Sequence, residues 1–140
     1  MKEVTIIRRE RFCSAHKLWN PNWDAKKNEE TFGGCSNPNW HGHNYELIVK
    51  VAGEIEPETG FVMNLKTLSK ILKYKVIDKL DHKNLNLDVD FLKDKRTTTE
   101  VVSVAIWEEI EEEIKIKGGK LISVRVNETE NNSVEYFGEK

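Results

Sequence analysis

The sequence predicts an α+β domain with a four-stranded antiparallel sheet and two helices packed on one of its faces. Three observations support this prediction: alternating extended stretches at both ends of the chain, two helical periods between them, and a turn signal within the last extended stretch. The resulting order is β-β-α-α-β-β, and hairpins at both ends favour antiparallel pairing.

The first two elements are strands over residues 4–16 and 41–53. In the second strand, alternate residues share a face that begins with two histidines and is otherwise mostly apolar. The residues on this face are His41, His43, Tyr45, Leu47, Val49 and Val51. The connection between the strands, residues 17–40, is polar, rich in Asn and Gly, and long. A connection of this length is more typical of a functional loop than of a spacer.

The third and fourth elements are helices. Apolar residues recur every three or four positions behind Asn64, which we expect to cap a helix that ends near Leu80; they are Leu65, Leu68, Leu72, Val76 and Leu80. The second helix begins at the Thr-Thr-Thr-Glu stretch 97–100, which matches a capping box, and it stops at Gly118-Gly119.

The last two elements form a hairpin. Alternate residues of the first strand share one face, namely Ile122, Val124, Val126 and Glu128. Asn131-Asn132 supplies the turn, and residues 134–137 return as the final strand.

Length and charge limit the classes of function. The 140 residues fit one domain, residues 1–140, and 22 basic against 24 acidic side chains give a net charge of only −2. We therefore expect no nucleic-acid partner and no membrane surface, and no apolar run approaches the ~20 residues of a spanning helix. A cytoplasmic protein is predicted, and two cysteines are too few for a disulfide framework.

Three of the four histidines are candidates for one metal site. His41 and His43 lie two apart on a strand, so they project from one face with Cα atoms ~7 Å apart. His16 ends the first strand, which pairing can bring beside them. The alternative is that each ring is hydrogen-bonded to the backbone, but two adjacent imidazoles on an apolar face need polar partners that such a face does not offer. We therefore predict Zn²⁺ with one open coordination position.

The two cysteines have different predicted roles. Cys35 lies in a Gly-rich loop six residues before His41, where a nearby zinc ion would lower the pKa of the thiol and produce a thiolate base. The alternative is a free loop cysteine. Cys13 alternates away from His16 to the far face of the strand, where we expect inert packing.

Two acidic positions complete the candidate site, each with an alternative. In Asp81-His82 the carboxylate can orient an imidazole that exchanges protons with a thiol, but a histidine at a helix end also interacts favourably with the helix dipole. Glu128 continues an apolar strand face and could accept both N–H donors of a flat heterocycle; alternatively the strand ends at Asn127 and the carboxylate is solvated. Glu130, in the turn, is the poorer candidate acid.

Taken in order, these residues resemble a known family. The segments that carry the resemblance are Phe12–Leu18, Cys35-x5-His41-Gly42-His43-Asn44-Tyr45, Thr59–Met63, Leu80–Leu85, Thr98-Thr99-Glu100 and Glu128-Thr129-x-Asn131-Asn132. Together they are similar to 6-pyruvoyl-tetrahydropterin synthase and its relative 6-carboxytetrahydropterin synthase. The match spans roughly residues 8 to 138.

The resemblance implies a tunnelling fold, in which three subunits join their sheets into a barrel and two trimers stack into a homohexamer.

The resemblance also implies the residues of the site. It implies zinc ligands at His16, His41 and His43. The catalytic residues would be Cys35, Asp81 and His82, with the thiol and the Asp-His pair contributed by different subunits. The implied substrate is 7,8-dihydroneopterin triphosphate, bound by Glu128 and, in the same set of motifs, by Thr98, Thr99 and Glu100.

Two product branches follow from the resemblance. In the pyruvoyl branch, which serves tetrahydrobiopterin-type synthesis, triphosphate leaves and 6-pyruvoyl-tetrahydropterin forms. In the carboxy branch of queuosine synthesis, acetaldehyde is also lost and a 6-carboxypterin remains. The Cys-x5-His-Gly-His spacing is similar to that of the pyruvoyl enzymes and favours that branch.

Two other classes of function compete with the lyase. One is a zinc-stabilised binding module without catalysis, and the other is a cysteine hydrolase that uses Cys35 and His82. Neither explains the His-x-His pair, the distant His16 and Glu128 together, so both rank below the lyase.

Overall fold

The structure is a computed structural model that describes residues 2–140. It confirms the α+β class. The strands and helices have these bounds in chain order: β1 Glu3–His16, α1 Ala25–Phe32, β2 His41–Glu54, α2 Leu65–Leu72, α3 Asp78–Leu80, β3 Lys83–Asn84, α4 Thr99–Ile116, β4 Lys120–Asn127 and β5 Ser133–Tyr136. Across the described residues, no helix is both long enough and apolar enough to span a bilayer.

The sheet has five strands in the order β3-β1-β2-β4-β5. The predicted strands pair antiparallel as expected, but the two-residue β3 runs parallel to β1 beside Ser14 and Ala15. The prediction of a four-stranded, purely antiparallel sheet is therefore wrong by one short strand. A strand of only two residues is too short to show an alternating pattern in the sequence. It forms because the end of β1 offers it a pairing partner.

The core lies between one face of the sheet and the helices α2 and α4. The strand side chains buried there alternate along each strand and include Phe12, Tyr45, Leu47, Val49, Val51, Leu121, Val124 and Val126. On β4 a register shift opposite Lys50 and Val51 buries Leu121 and leaves Ile122 partly exposed, so the predicted face is wrong at that position.

The helix predicted from Asn64 to Leu80 is interrupted. The Asn64 side chain accepts a hydrogen bond from the Lys66 amide at 2.8 Å, which confirms the cap, but a π-helical turn separates α2 from α3. Apolar residues recur every four positions here, whereas a regular α-helix has 3.6 residues per turn, so in a regular helix these side chains would drift away from the core. The wider π turn keeps Val76 and Leu80 fully buried. Leu65 is exposed, so the prediction that it belongs to the apolar face of this helix is wrong.

The start of α4 differs from a capping box. Thr98 is the cap, and its hydroxyl accepts a hydrogen bond from the Val101 amide at 3.2 Å. The residue three positions after the cap is a valine, which cannot return the bond as the glutamate of a capping box does. The helix ends at Ile116, just before Gly118, whose φ of +92° terminates it as predicted.

The segment predicted as a loop, residues 17–40, contains α1 and a 3₁₀ turn at Gly33–Ser36. Asp24 caps α1, and the helix buries only Asn28, whose amide donates to three main-chain carbonyls of the same segment. Because polar hydrogen bonds hold this helix in place, the sequence has no apolar period that would reveal it.

Candidate active site

Three imidazole rings meet where β1 ends and β2 begins. The β1–β2 register pairs His16 with His41 and Ser14 with His43, so the ring centroids lie 4.5 to 5.3 Å apart. One ring nitrogen from each histidine lies within 4.8 Å of the others. The structure therefore brings together the three residues that the sequence analysis assigned to a metal.

Four buried ring nitrogens of this cluster have no hydrogen-bond partner among residues 2–140: His16 Nε2, both nitrogens of His41, and His43 Nε2. Burial lowers the pKa of His16 and of His41, and the neighbouring imidazoles lower both further. Neutral imidazoles with free lone pairs are the form in which histidine binds zinc. This donor set fits a zinc ion held by three protein nitrogens.

The main chain orients His16. Its Nδ1–H donates to the carbonyl oxygen of Thr97 at 2.8 Å, which leaves Nε2 with the lone pair. The buried Thr97 hydroxyl in turn donates to Asn86 Oδ1 at 3.1 Å, and Asn86 also bonds the main-chain N–H and carbonyl of Lys17. Thr97 and Asn86 could not be assigned to the site from the sequence, because a carbonyl partner 81 positions away leaves no spacing signal.

Glu128 extends into the same site. β4 ends at Asn127, as the alternative expected, but the Glu128 side chain is only 25% exposed, so the carboxylate is not simply solvated. Its Oε2 accepts a hydrogen bond from Thr99 Oγ1 at 2.7 Å and lies 4.0 Å from His16 Nε2, while Oε1 lies 3.9 Å from His43 Nε2. The carboxylate therefore borders the histidine cluster.

A cavity of about 270 Å³ opens beside this carboxylate. Thr98, Thr99, Glu100 and Glu128, which were predicted to bind substrate, all line it. Thr99 is buried and holds Glu128, whereas Thr98 uses its hydroxyl to cap α4 and Glu100 is exposed. Of the three helix residues, Thr99 is thus the one in direct contact with the site carboxylate.

Cys35 is exposed in the 3₁₀ turn, and its carbonyl accepts a hydrogen bond from the Leu18 amide at 2.8 Å, which holds the turn beside the end of β1. Burial raises the pKa of the Tyr45 phenol, and the charges of Glu128 and Cys35 raise it further. Cys13 lies on the face of β1 opposite the buried Ser14 and His16, as predicted, but it is exposed, so the expectation that it packs there is wrong.

Asp81 and His82 lie at the outer edge of β1. Asp81 Oδ1 accepts a hydrogen bond from the Cys13 amide at 2.8 Å, and Oδ2 lies 3.1 Å from His82 Nδ1. His82 has a left-handed φ of +59°, and its side chain is 83% exposed. Within one chain, their hydrogen bonds tie the pair to Cys13 and not to Cys35 or the histidine cluster.

An aromatic cluster borders the end of β1 and was not assigned a role from the sequence. The Lys17 ammonium lies 4.5 Å from the ring centroid of Trp40 and 5.5 Å from that of Trp19. Trp40 has a φ of +67° and directly precedes His41. Strained backbone of this kind persists where the surroundings demand it, often at functional sites.

A model of the family described as 6-pyruvoyl tetrahydropterin synthase matches residues 5–139. The human protein named 6-pyruvoyl tetrahydrobiopterin synthase is 43% identical over 137 residues, which is 98% of this chain and 93% of that protein. A solved structure of 6-pyruvoyl tetrahydropterin synthase from Caenorhabditis elegans superimposes with a TM-score of 0.91 at 37% identity, covering 99% of this chain and 98% of that one.

The carboxy branch gives a weaker match. The Bacillus subtilis protein named 6-carboxy-5,6,7,8-tetrahydropterin synthase is 36% identical over 85 residues, 59% of this chain. The structural likeness to the nematode protein confirms the predicted tunnelling fold. With the family model matched over nearly the whole length, the chain belongs to the 6-pyruvoyl tetrahydropterin synthase family.

Proposed function

We propose that this protein is a zinc-dependent lyase that converts 7,8-dihydroneopterin triphosphate into 6-pyruvoyl-tetrahydropterin and releases triphosphate. As a family member the chain is an enzyme of this lyase type. The observation that carries the proposal is the carboxylate of Glu128, which Thr99 holds within 4.0 Å of two imidazoles whose Nε2 atoms have no hydrogen-bond partner within residues 2–140.

His16, His41 and His43 would hold the zinc ion. When bound, zinc would supply a Lewis acid that polarises the side-chain oxygens of the substrate and acidifies the adjacent carbon-bound protons. The carbonyl of Thr97 keeps His16 in the tautomer that this role requires.

Glu128 would anchor the pterin ring. A carboxylate can accept two parallel N–H bonds from the amidine-like edge of the heterocycle, which fixes the orientation of the ring. Thr99 donates to Oε2 and so sets the direction of the carboxylate. Thr98 and Glu100 line the same cavity and would contact the ring from the start of α4.

Cys35 and the Asp81-His82 pair would move protons. The Cys35 thiolate would take the proton from the side-chain carbon, and His82, oriented by Asp81 at 3.1 Å, would exchange protons with the thiol. The strongly exposed His82 and the position of its partner Asp81 at the sheet edge support a site completed by a second copy.

We propose that residues 1–140 form a single domain and that six copies assemble as two stacked trimers, with active sites at the subunit interfaces. Outside Ser14 and Ala15, the outer edge of β1 lacks a strand partner in the described chain, and so does the outer edge of β5. Unpaired edges of this length favour pairing with another strand, and a closed ring of sheets leaves none exposed.

The test is to incubate the zinc-loaded protein with 7,8-dihydroneopterin triphosphate and identify the products by mass spectrometry. A pyruvoyl product with triphosphate supports the proposal. A carboxypterin with acetaldehyde would instead assign the chain to the queuosine branch, and unchanged substrate would overturn both. The Cys35→Ala variant is the control, since a non-catalytic binding module would not depend on the thiol.

A further inference from the structure

The Tyr45 side chain lies beside the histidine cluster. The residue is 1% exposed, and its hydroxyl oxygen has no hydrogen-bond partner among the residues that the structure describes. A buried phenol normally pairs its O–H, because an unpaired polar group in the interior destabilises the folded state. The contacts within the fold therefore do not explain a hydroxyl group at this position.

Its neighbours hold the phenol ring rigidly. The ring stacks on Phe12 with centroids 4.7 Å apart and an interplanar angle of 10°, and it meets the edges of His43 at 5.4 Å and His16 at 6.1 Å. With aromatic partners on several sides in a close-packed core, the ring is held in one orientation.

The sheet register places Tyr45 next to the site carboxylate. Glu46 pairs with Asn127, the last residue of β4, so Tyr45 and Glu128 each lie one residue beyond the last pair of the β2–β4 ladder. Tyr45 therefore pairs with Phe12 on β1 and lies near Glu128 on the other side, and its side chain shares a strand face with that of His43, two residues earlier.

We propose that Tyr45 is a further substrate-binding residue, whose hydroxyl donates a hydrogen bond to an oxygen of the pterin side chain held between the histidines and Glu128. This inference rests on the proposed function and deepens it. A fixed donor aimed at a ligand oxygen needs no reorganisation when the ligand binds, which favours the bound geometry.

One substitution, Tyr45→Phe, should leave stability unchanged or increased while it lowers activity. Tyr45→Phe keeps the ring and its stacking on Phe12 but removes the hydroxyl. Without ligand, we expect a melting temperature equal to or above that of the wild type, because an unpaired polar group has been removed, and an unchanged zinc content. With 7,8-dihydroneopterin triphosphate, we expect kcat/KM to fall by about tenfold or more.

Tyr74→Phe is the matched control, because Tyr74 is 71% exposed and should change neither quantity. A lower melting temperature for Tyr45→Phe would show that the hydroxyl serves the fold and would overturn the inference. Unchanged kcat/KM in Tyr45→Phe, with an active wild type, would overturn the inference alone. A wild type inactive on this substrate would overturn the proposed function and the inference together.

Discussion

The Nδ1 atom of His16 lies 2.8 Å from the carbonyl oxygen of Thr97, 81 positions further along the chain. This bond ties the last residue of β1 to the residue before the cap of α4, and it decides which nitrogen of His16 faces the histidine cluster. A side-chain substitution at Thr97 leaves the carbonyl in place, so its contribution is best tested through Asn86, which holds the Thr97 hydroxyl and the main chain of Lys17.

Asn86→Ala should weaken zinc binding by roughly 10- to 100-fold, because it removes the support of the group that orients a ligand. Competition with a chelating dye measures the affinity. Asn39→Ala, at an exposed position, is the control and should bind zinc as the wild type does. Equal zinc affinity in Asn86→Ala and the wild type would refute the positioning role.

His43→Ala should lose most of the bound zinc, because two imidazoles do not complete a stable site. The wild-type protein should melt at a lower temperature after chelation, since a ligand that binds only the native state stabilises it. Atomic emission gives the metal content. His82→Ala, which changes the one histidine outside the cluster, should retain zinc; equal loss from both variants would argue against the assignment.

Thr99→Val should weaken pterin binding by about tenfold, because Glu128 loses a hydrogen bond worth ~1–2 kcal/mol and is no longer held in one orientation. Zinc content should not change. Thr98→Ala provides the contrast: the loss of the helix cap should lower the free energy of unfolding by ~1 kcal/mol and leave the affinity largely intact. Isothermal titration with dihydroneopterin and urea unfolding separate the two effects.

Cys35→Ala and His82→Ala should each be inactive, yet co-assembly of the two variants should restore activity. If each site takes the thiol from one copy and the imidazole from another, random mixing in a closed oligomer makes about a quarter of the sites complete. The measurement is the turnover rate after the variants are denatured and refolded together. No recovery in oligomers shown by native mass spectrometry to be mixed would place both groups in one chain.

Acid should remove a small part of the stability through Asp81. The hydrogen bond from the Cys13 amide holds the pKa of this carboxyl below its usual value, and His82 lowers it further. The folded state thus favours the charged carboxylate, so the contribution is present above the pKa of the unfolded chain and disappears as pH falls through the lower folded pKa, below about pH 4. The effect is small because the side chain is 36% exposed.

Urea unfolding of the wild type and Asp81→Asn between pH 3 and 7 checks this sign. The wild type should be the more stable of the two at neutral pH, and the difference should shrink toward pH 3. A difference that grows as the pH falls would contradict the prediction.

Local patterns in the sequence determined which side chains share a face and where most elements lie. His41 and His43 are neighbours because the side chains of a strand alternate, and His16 joins them because antiparallel pairing aligns the ends of β1 and β2. The Asn64 cap and the Gly118 stop are local features in the same sense, since their partners lie within one helical turn.

Only the tertiary structure decided the rest, because it depends on partners far apart in the chain or on irregular geometry. The inward turn of Glu128 depends on Thr99, and the tautomer of His16 depends on the Thr97 carbonyl. The lack of a partner for the Tyr45 hydroxyl in the part of the chain that the structure describes depends on every group around it. The short β3 exists only because β1 offers an edge, and its approach holds Asp81 and His82 by Cys13, away from the histidine cluster.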